Sequence, residues 1–351
     1  MLAFWMLPLI LGIASAAESP PPVPRTSPVP TIEALQAEYH VIHDVALLAF
    51  LMAGLGVALA PLIRVPERNG DTRGKVPSHL FRVPDLAMGA VLLGLLGAAF
   101  FVHAAPTELP KEIKIDLTTA VASMVPPMVM LFLVLIMATW VIRRSPDEVF
   151  GLRRVGFWKG FGLILAWGIP AVFLVNFFGM ALQQYWIEPQ FGGLDAQDPV
   201  KMLIKEKDPL IRFFFAFAAC VVAPVAEETL FRGYLYGVMK RYTGRFFATV
   251  VISVLFAVVH LKLPALAPLA LLAVILTLAY EQSGSLWVAV GIHALFNTAT
   301  VYRPFFAGIR RRPSAVGPEI LLSCRRVPLR YSRFRPRQPL GLRRSEALFA
   351  G

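Results

Sequence analysis

Charged residues are scarce in this chain. Only 16% of its 351 residues are Asp, Glu, Lys or Arg, whereas 57% are hydrophobic. A soluble domain of this size carries charge on about a quarter of its residues. Because a charge at the centre of a bilayer costs about 3 kcal/mol or more, the shortage is typical of a surface that faces lipid. The composition excludes a soluble globular domain and predicts an all-α, polytopic transmembrane helical bundle.

Cysteines and acidic residues are also few. The two cysteines, Cys220 and Cys324, form neither a disulfide framework nor a zinc pattern, and we expect them to be bystanders. Lys and Arg outnumber Asp and Glu, which gives a net charge of +12. The basic residues lie between apolar runs and in a C-terminal tail, where membrane topology and anionic headgroups explain them. We expect membrane lipids as partners, and no nucleic acid.

Composition divides the chain into five segments. Residues 1–17 are a signal peptide or an uncleaved first span, since a short apolar run ends there in small residues. Residues 18–40 are Pro-rich and expected to be extended. Residues 41–209 carry N-terminal transmembrane helices, and residues 210–302 carry further helices with polar residues inside them. Residues 303–351 are Arg-rich and expected to be disordered.

About eight apolar runs approach the ~20 residues that a membrane-crossing helix needs. They lie near residues 45–63, 86–105, 120–142, 161–182, 211–242, 246–261, 265–280 and 286–302.

Positive charge alternates between the loops, which sets the expected orientation. Segments 64–85 and 143–160 each hold five basic residues, whereas segment 106–118 holds two basic and three acidic residues. The two basic segments are therefore expected inside and the Pro-rich segment outside. The Arg-rich tail breaks the pattern, because eight spans place it outside. Three explanations stay open: one span is miscounted, the earlier helices fix the orientation despite the late charge, or the terminus is aberrant.

Two adjacent carboxylates, Glu227 and Glu228, interrupt one apolar run. Glu228 stands four residues before Arg232, the favourable order for an intrahelical ion pair. Glu227 points about 100° away around the helix and has no such partner. An unpaired carboxylate in a low dielectric can bind and release a proton near neutrality, which suits a general base. The alternative is that both acids lie at the headgroup level.

The later runs carry His260, His293 and Asn297, the last two on one helix face. Taken alone, each of these residues would more often be a packing residue or a hydrogen-bonding partner between helices than a catalytic residue. However, Glu227 lies sixteen residues before Thr243, and His260 lies sixteen residues after Gly244. If a turn there joins two regular helices, both side chains lie about 24 Å from it and should meet.

Together these motifs resemble the CPBP family (also called Abi, or CAAX protease and bacteriocin-processing), which includes the type II CAAX prenyl endopeptidases. The family pattern is a double Glu followed by Arg, then Phe-xxx-His, then His-xxx-Asn. The segment from Tyr280 to Trp287 is also similar to the family. The resemblance covers about 210–302 and marks it as a CPBP-like catalytic core. In this chain the pattern reads, in order, Glu227-Glu228 with Arg232, Phe256 with His260, and His293 with Asn297.

What the resemblance implies is an intramembrane endopeptidase acting on a membrane-bound or lipidated peptide, with prenylation left open. It implies that Glu227 and His260 activate a water molecule. His293 and Asn297 would hold the oxyanion, supported by the intrahelical ion pair. The expected location is a bacterial plasma membrane, because of the signal-like start and short loops, with the endoplasmic reticulum as the alternative.

Three alternatives remain at this stage. Glu227, His260 and His293 could instead ligate zinc with one open position. The chain has no His-Glu-xx-His pair, and Asn297 suits an oxyanion hole better, so we expect no cofactor. A non-catalytic scaffold of the same fold would not need all of these residues. A proton-coupled transporter would use buried Glu and His as a relay, but the spans show no inverted repeat.

Overall fold

The structure, a computed structural model, describes residues 31–59, 74–102, 116–191 and 206–310. Within these ranges the regular structure is helical and contains no strand. The signal-like segment 1–17, the prolines of residues 19–30 and the tail beyond Arg310 lie outside the described residues.

Eight apolar helices form the described part of the chain. Six are long and apolar enough to cross a membrane, and the other two contain the shorter apolar stretches Arg245–Val258 and Leu286–Val301. The predicted multi-pass helical membrane protein is therefore confirmed. In chain order they are α1 (Ile32–Leu59), α2 (Val83–Phe101), α3 (Leu117–Trp140), α4 (Phe157–Phe191), α5 (Pro209–Thr243), α6 (Arg245–Val258), α7 (Leu263–Ser283) and α8 (Leu286–Arg310).

Two helices extend beyond their apolar runs. α1 begins at Ile32, so residues 32–40 of the expected extended segment are helical. Hydropathy alone missed its first turns because they contain polar residues such as Glu33 and Glu38. α8 continues to Arg310, eight residues into the segment expected to be disordered, because the apolar residues 305–309 prolong the run.

The outer surface of the bundle is apolar. On α4, the side chains of Phe173 and Phe177 are 72% and 75% exposed, and Trp158 is 75% exposed. Large apolar side chains that do not pack inside the protein are stable where lipid covers them. This surface agrees with a bundle that spans a membrane.

The interior is organised around α7, the most buried of the long helices in the described ranges. α6 and α4 pack against it, and α5 turns back into α6 at Gly244, whose positive φ of 84° suits a glycine. The predicted turn at Thr243-Gly244 is present. On α8, Gly291 lets the side chain of Ile164 lie directly against the helix backbone, so α4 and α8 approach closely.

A buried ionic cluster joins the ends of α5 and α7. Nζ of Lys240 lies 2.6 Å from Oε1 of Glu281 and donates to the carbonyl of Val76. The hydroxyl of Tyr236 donates to the same carboxylate oxygen over 2.6 Å. The backbone N–H of Lys75 donates to the carbonyl of Glu281 over 2.9 Å. This cluster fixes the register of α5 against α7 and ties down the segment before α2.

We expect Glu281→Gln to lower the thermal midpoint of the protein in detergent. Removing one partner of a buried ion pair costs about 3–5 kcal/mol, because it leaves the other charge uncompensated. Adding Lys240→Met to this variant should recover at least half of the loss. The control is Glu148→Gln, which breaks an exposed pair with Arg144 and should change little. An unchanged midpoint in Glu281→Gln would contradict this assignment.

Candidate active site

α5 does not run as a regular helix through the acidic pair. It contains π-helical segments at Ala218–Val222 and Thr229–Leu235, on either side of the two glutamates. In the first segment a carbonyl pairs with the N–H five residues on, and the fifth residue after Ala219 is Pro224, which has no N–H. Nδ2 of Asn297 donates to the carbonyl of Ala219 over 2.8 Å. Asn297 thus supplies the missing donor and ties α8 to α5.

Glu228 is completely buried and binds two groups through one oxygen. Its Oε1 accepts from Nη1 of Arg232 over 2.9 Å, the ion pair predicted from the sequence. Nδ1 of His293 also lies 2.9 Å from this oxygen. A carboxylate paired with a guanidinium accepts hydrogen bonds, so it holds a proton on Nδ1 of His293. Glu228 therefore fixes both the arginine and the tautomer of this histidine.

The ring of Phe256 is packed among the polar groups. It is fully buried, and Cζ of Arg232 lies 4.3 Å from its centroid. The rings of His260 and His293 lie 5.0 and 5.6 Å away, centroid to centroid. The carbonyl of Phe256 also lies 2.8 Å from Nδ1 of His260 and accepts its hydrogen. The phenylalanine four residues before His260 therefore orients it through both its ring and its backbone.

Glu227 faces both imidazoles. Its Oε2 lies 4.0 Å from Nε2 of His260 and 3.9 Å from Nε2 of His293. Among the described residues this oxygen has no hydrogen-bond partner. The side chain is 22% exposed, whereas that of Glu228 is fully buried. The two adjacent acids thus occupy different environments: Glu228 is fully enclosed, whereas Glu227 is partly exposed although its Oε2 is buried.

The distances around Glu227 can be compared with those expected for a shared zinc ion and for a shared water molecule. Two atoms that ligate one tetrahedral zinc at about 2.0–2.1 Å lie about 3.3–3.4 Å apart. Two atoms that share one water at hydrogen-bonding distance lie about 4–4.5 Å apart. The distances of 3.9 and 4.0 Å fit a shared water better than a shared zinc. The described residues also hold no group of three metal-ligating side chains arranged around a common point.

The structure places His260 differently from the sequence prediction. α6 ends at Val258, so His260 lies in the turn before α7 and not inside a helix over residues 246–261. Leu261 in this turn has a positive φ of 56°, which ends the helical path. The equal spacing of Glu227 and His260 from the Gly244 turn still brings the two side chains together.

Asn297 lies one turn beyond His293 on α8. Its hydrogen bond goes to the Ala219 carbonyl, not to the carboxylate or the imidazoles of the site. A carboxamide has two N–H groups, so the second remains for another acceptor. Sequence reasoning missed the bond to Ala219, although Pro224 was its signal. A proline within an apolar helix leaves a carbonyl that a neighbouring polar side chain can satisfy.

We expect Asn297→Ala to destabilise the protein by about 1–3 kcal/mol, since a buried carbonyl loses its donor. Pro224→Ala restores a backbone N–H at residue 224. In that background the same Asn297→Ala change should cost less, and a double-mutant cycle of unfolding free energies measures the difference. Equal costs in both backgrounds would show that the two residues are not coupled.

Comparison with known proteins found one matching family and one similar curated protein. Residues 209–299 match the family described as type II CAAX prenyl endopeptidase Rce1-like. Over 171 residues the chain is 27% identical to the Bacillus subtilis (strain 168) protein "Putative membrane peptidase YdiL". That match covers 48% of this chain and 66% of the relative, just under two thirds of its length. No solved structure matches the chain. Residues 209–299, which carry all six predicted site residues, are therefore similar to the type II CAAX prenyl endopeptidases, the resemblance that the sequence motifs indicated.

Proposed function

We propose that this protein is an intramembrane endopeptidase that hydrolyses a peptide bond with a water molecule activated by Glu227. The observation that carries the proposal is the position of Glu227 Oε2, 3.9 and 4.0 Å from the Nε2 atoms of two histidines. One water molecule fits between Glu227 and either imidazole. Each histidine faces Glu227 with its Nε2 and not with its Nδ1. The Rce1-like family and the membrane peptidase relative support the same reaction class.

Glu227 and His260 act together on the water. Nδ1 of His260 donates to Phe256, so Nε2 of the neutral ring is an acceptor. A water between them donates one hydrogen to Glu227 and the other to Nε2, and its lone pair attacks the carbonyl carbon. Glu227 takes the proton as the C–O bond forms. It returns that proton to the leaving nitrogen as the C–N bond breaks, which releases a carboxylic acid and an amine.

His293 and Asn297 stabilise the oxyanion of the tetrahedral intermediate. Because Nδ1 of His293 is held by Glu228, Nε2 also carries a hydrogen only when the ring is a cation. The cluster then holds two carboxylates, Glu227 and Glu228, and two cations, Arg232 and His293, so its net charge is zero. The Nε2–H group and the second amide hydrogen of Asn297 are the donors that the developing negative charge needs.

The substrate we propose is a peptide held at the membrane, including peptides that carry a lipid on a cysteine. The family description names prenylated CAAX peptides, and the apolar bundle favours a substrate that partitions into lipid. The partly exposed Glu227 is the acid that such a peptide can reach, because Glu228 is enclosed. A bacterial plasma membrane is the location that the signal-like start and short loops favour.

We expect Glu227→Gln to reduce cleavage by about 10³-fold or more, because the amide cannot accept the proton of the water. The measurement is the cleavage rate of farnesylated and unmodified forms of one peptide by purified protein in liposomes. Glu148→Gln, a variant of an exposed acid outside the site, is the control and should keep full activity. Equal cleavage by Glu227→Gln and the wild type would overturn the mechanism.

Metal independence needs its own experiment. With 1,10-phenanthroline present, we expect a cleavage rate within about twofold of the untreated enzyme, since the Glu227 distances suit water better than zinc. Metal analysis of the purified protein should find less than one zinc per chain. Loss of activity with the chelator and recovery on adding zinc would instead support the zinc alternative with Glu227, His260 and His293 as ligands.

A further inference from the structure

We propose that Glu38 of α1, which lies outside the family-matched region, is a positioning residue that holds His260 toward Glu227. This inference rests on the proposed function, in which His260 orients the attacking water. It assigns a role in the reaction to the first helix of the bundle.

Glu38 is a buried acid in apolar surroundings. Its residue is 7% exposed, and its Oε1 accepts a hydrogen bond from the backbone N–H of Leu263 over 2.9 Å. Ile42, one turn along α1, packs with Val258 and Leu263. A carboxylate in such a place is costly unless it is hydrogen-bonded. The bond to α7 therefore accounts for an acid where an aliphatic residue would otherwise pack.

The bond completes the N-terminus of α7. The preceding residue, Lys262, makes no side-chain capping bond, and the helix starts with Leu263 and Pro264. The N–H of Leu263, at the first position of the helix, has no acceptor within α7, and it lies at the positive end of the helix. Glu38 accepts a hydrogen bond from this N–H and so caps the start of α7, as a Ser or Asp side chain does in other helices.

The same bond anchors the turn that carries His260. Four residues, 259–262, connect α6 to α7, and Leu261 among them has a left-handed φ of 56°. Only Gly and, less often, Asn or Asp adopt this conformation readily, so the surroundings must hold it. Phe256 fixes His260 at one end of the turn through its carbonyl. Glu38 fixes the other end, three residues further along.

Loss of this anchor should move His260 and leave the rest of the site in place. Glu228, Arg232 and His293 are held by bonds among α5, α7 and α8, and none of these bonds involves α1. A displacement of about 1 Å at a reacting group is enough to slow catalysis by about 10²-fold. The effect should therefore appear in kcat, because substrate binding to the bundle is unchanged.

The first measurement is steady-state cleavage by Glu38→Gln and Glu38→Leu. The glutamine keeps an acceptor oxygen and should retain kcat within about threefold. The leucine removes the acceptor and should lower kcat on the order of 10- to 100-fold, with KM within about threefold. Glu33→Leu, a variant of an exposed acid on the same helix, is the matched control and should behave as the wild type. Equal loss of kcat in both Glu38 variants would overturn the proposal.

The second measurement needs no substrate. In protein labelled with ¹⁵N at its six histidines, His260→Gln identifies the ring signals of His260. Wild type and Glu38→Gln should show one ring form with hydrogen on Nδ1, and Glu38→Leu should show shifted or multiple signals. Unchanged signals in Glu38→Leu would refute the positioning role. If the wild type cleaves no peptide, the proposed function fails, while these spectra still decide whether Glu38 positions His260.

Discussion

One buried carboxylate oxygen holds the site together. Oε1 of Glu228 binds Arg232 on its own helix and His293 on α8, and all three side chains are almost completely enclosed. In a bilayer these charges have no water to share, so each depends on the others. The guanidinium also contacts a carbonyl of α7 and lies over the ring of Phe256 on α6. Directly and through Arg232, this oxygen thereby ties together four helices around Glu227 and the two histidines.

The two adjacent glutamates divide the work because neighbouring residues on a helix point about 100° apart. Glu228 turns into the protein and carries structure, while Glu227 turns toward the histidines and keeps one oxygen without a hydrogen-bond partner in the described part of the chain. In the proposed mechanism a single acid could not do both, since a carboxylate that is already fully paired is a weak base. The doubled acid in the motif is therefore explained by geometry.

Much of this arrangement could be predicted from the sequence. The apolar runs predicted the eight helices. The equal spacing of Glu227 and His260 from the turn at Gly244 predicted that these two side chains meet. The contact between Glu228 and His293 could not be predicted, because it joins residues 65 apart and depends on the rotation of α8. The end of α6 was also missed, since no Gly or Asn at position 261 marks the left-handed turn. Glu38 escaped notice because its partner is a backbone N–H, which leaves no trace in a sequence.

The length of α6 has a consequence for the lipid around the protein. Its 14 residues span about 21 Å, whereas the hydrocarbon core of a bilayer is about 30 Å thick. With the Gly244 turn at one membrane surface, the turn that bears His260 would lie below the headgroups of the other, where the bilayer would have to thin or admit water. In the proposed reaction, the attacking water would come from such a thinned region. Acyl-chain length in the host membrane then becomes a determinant of turnover.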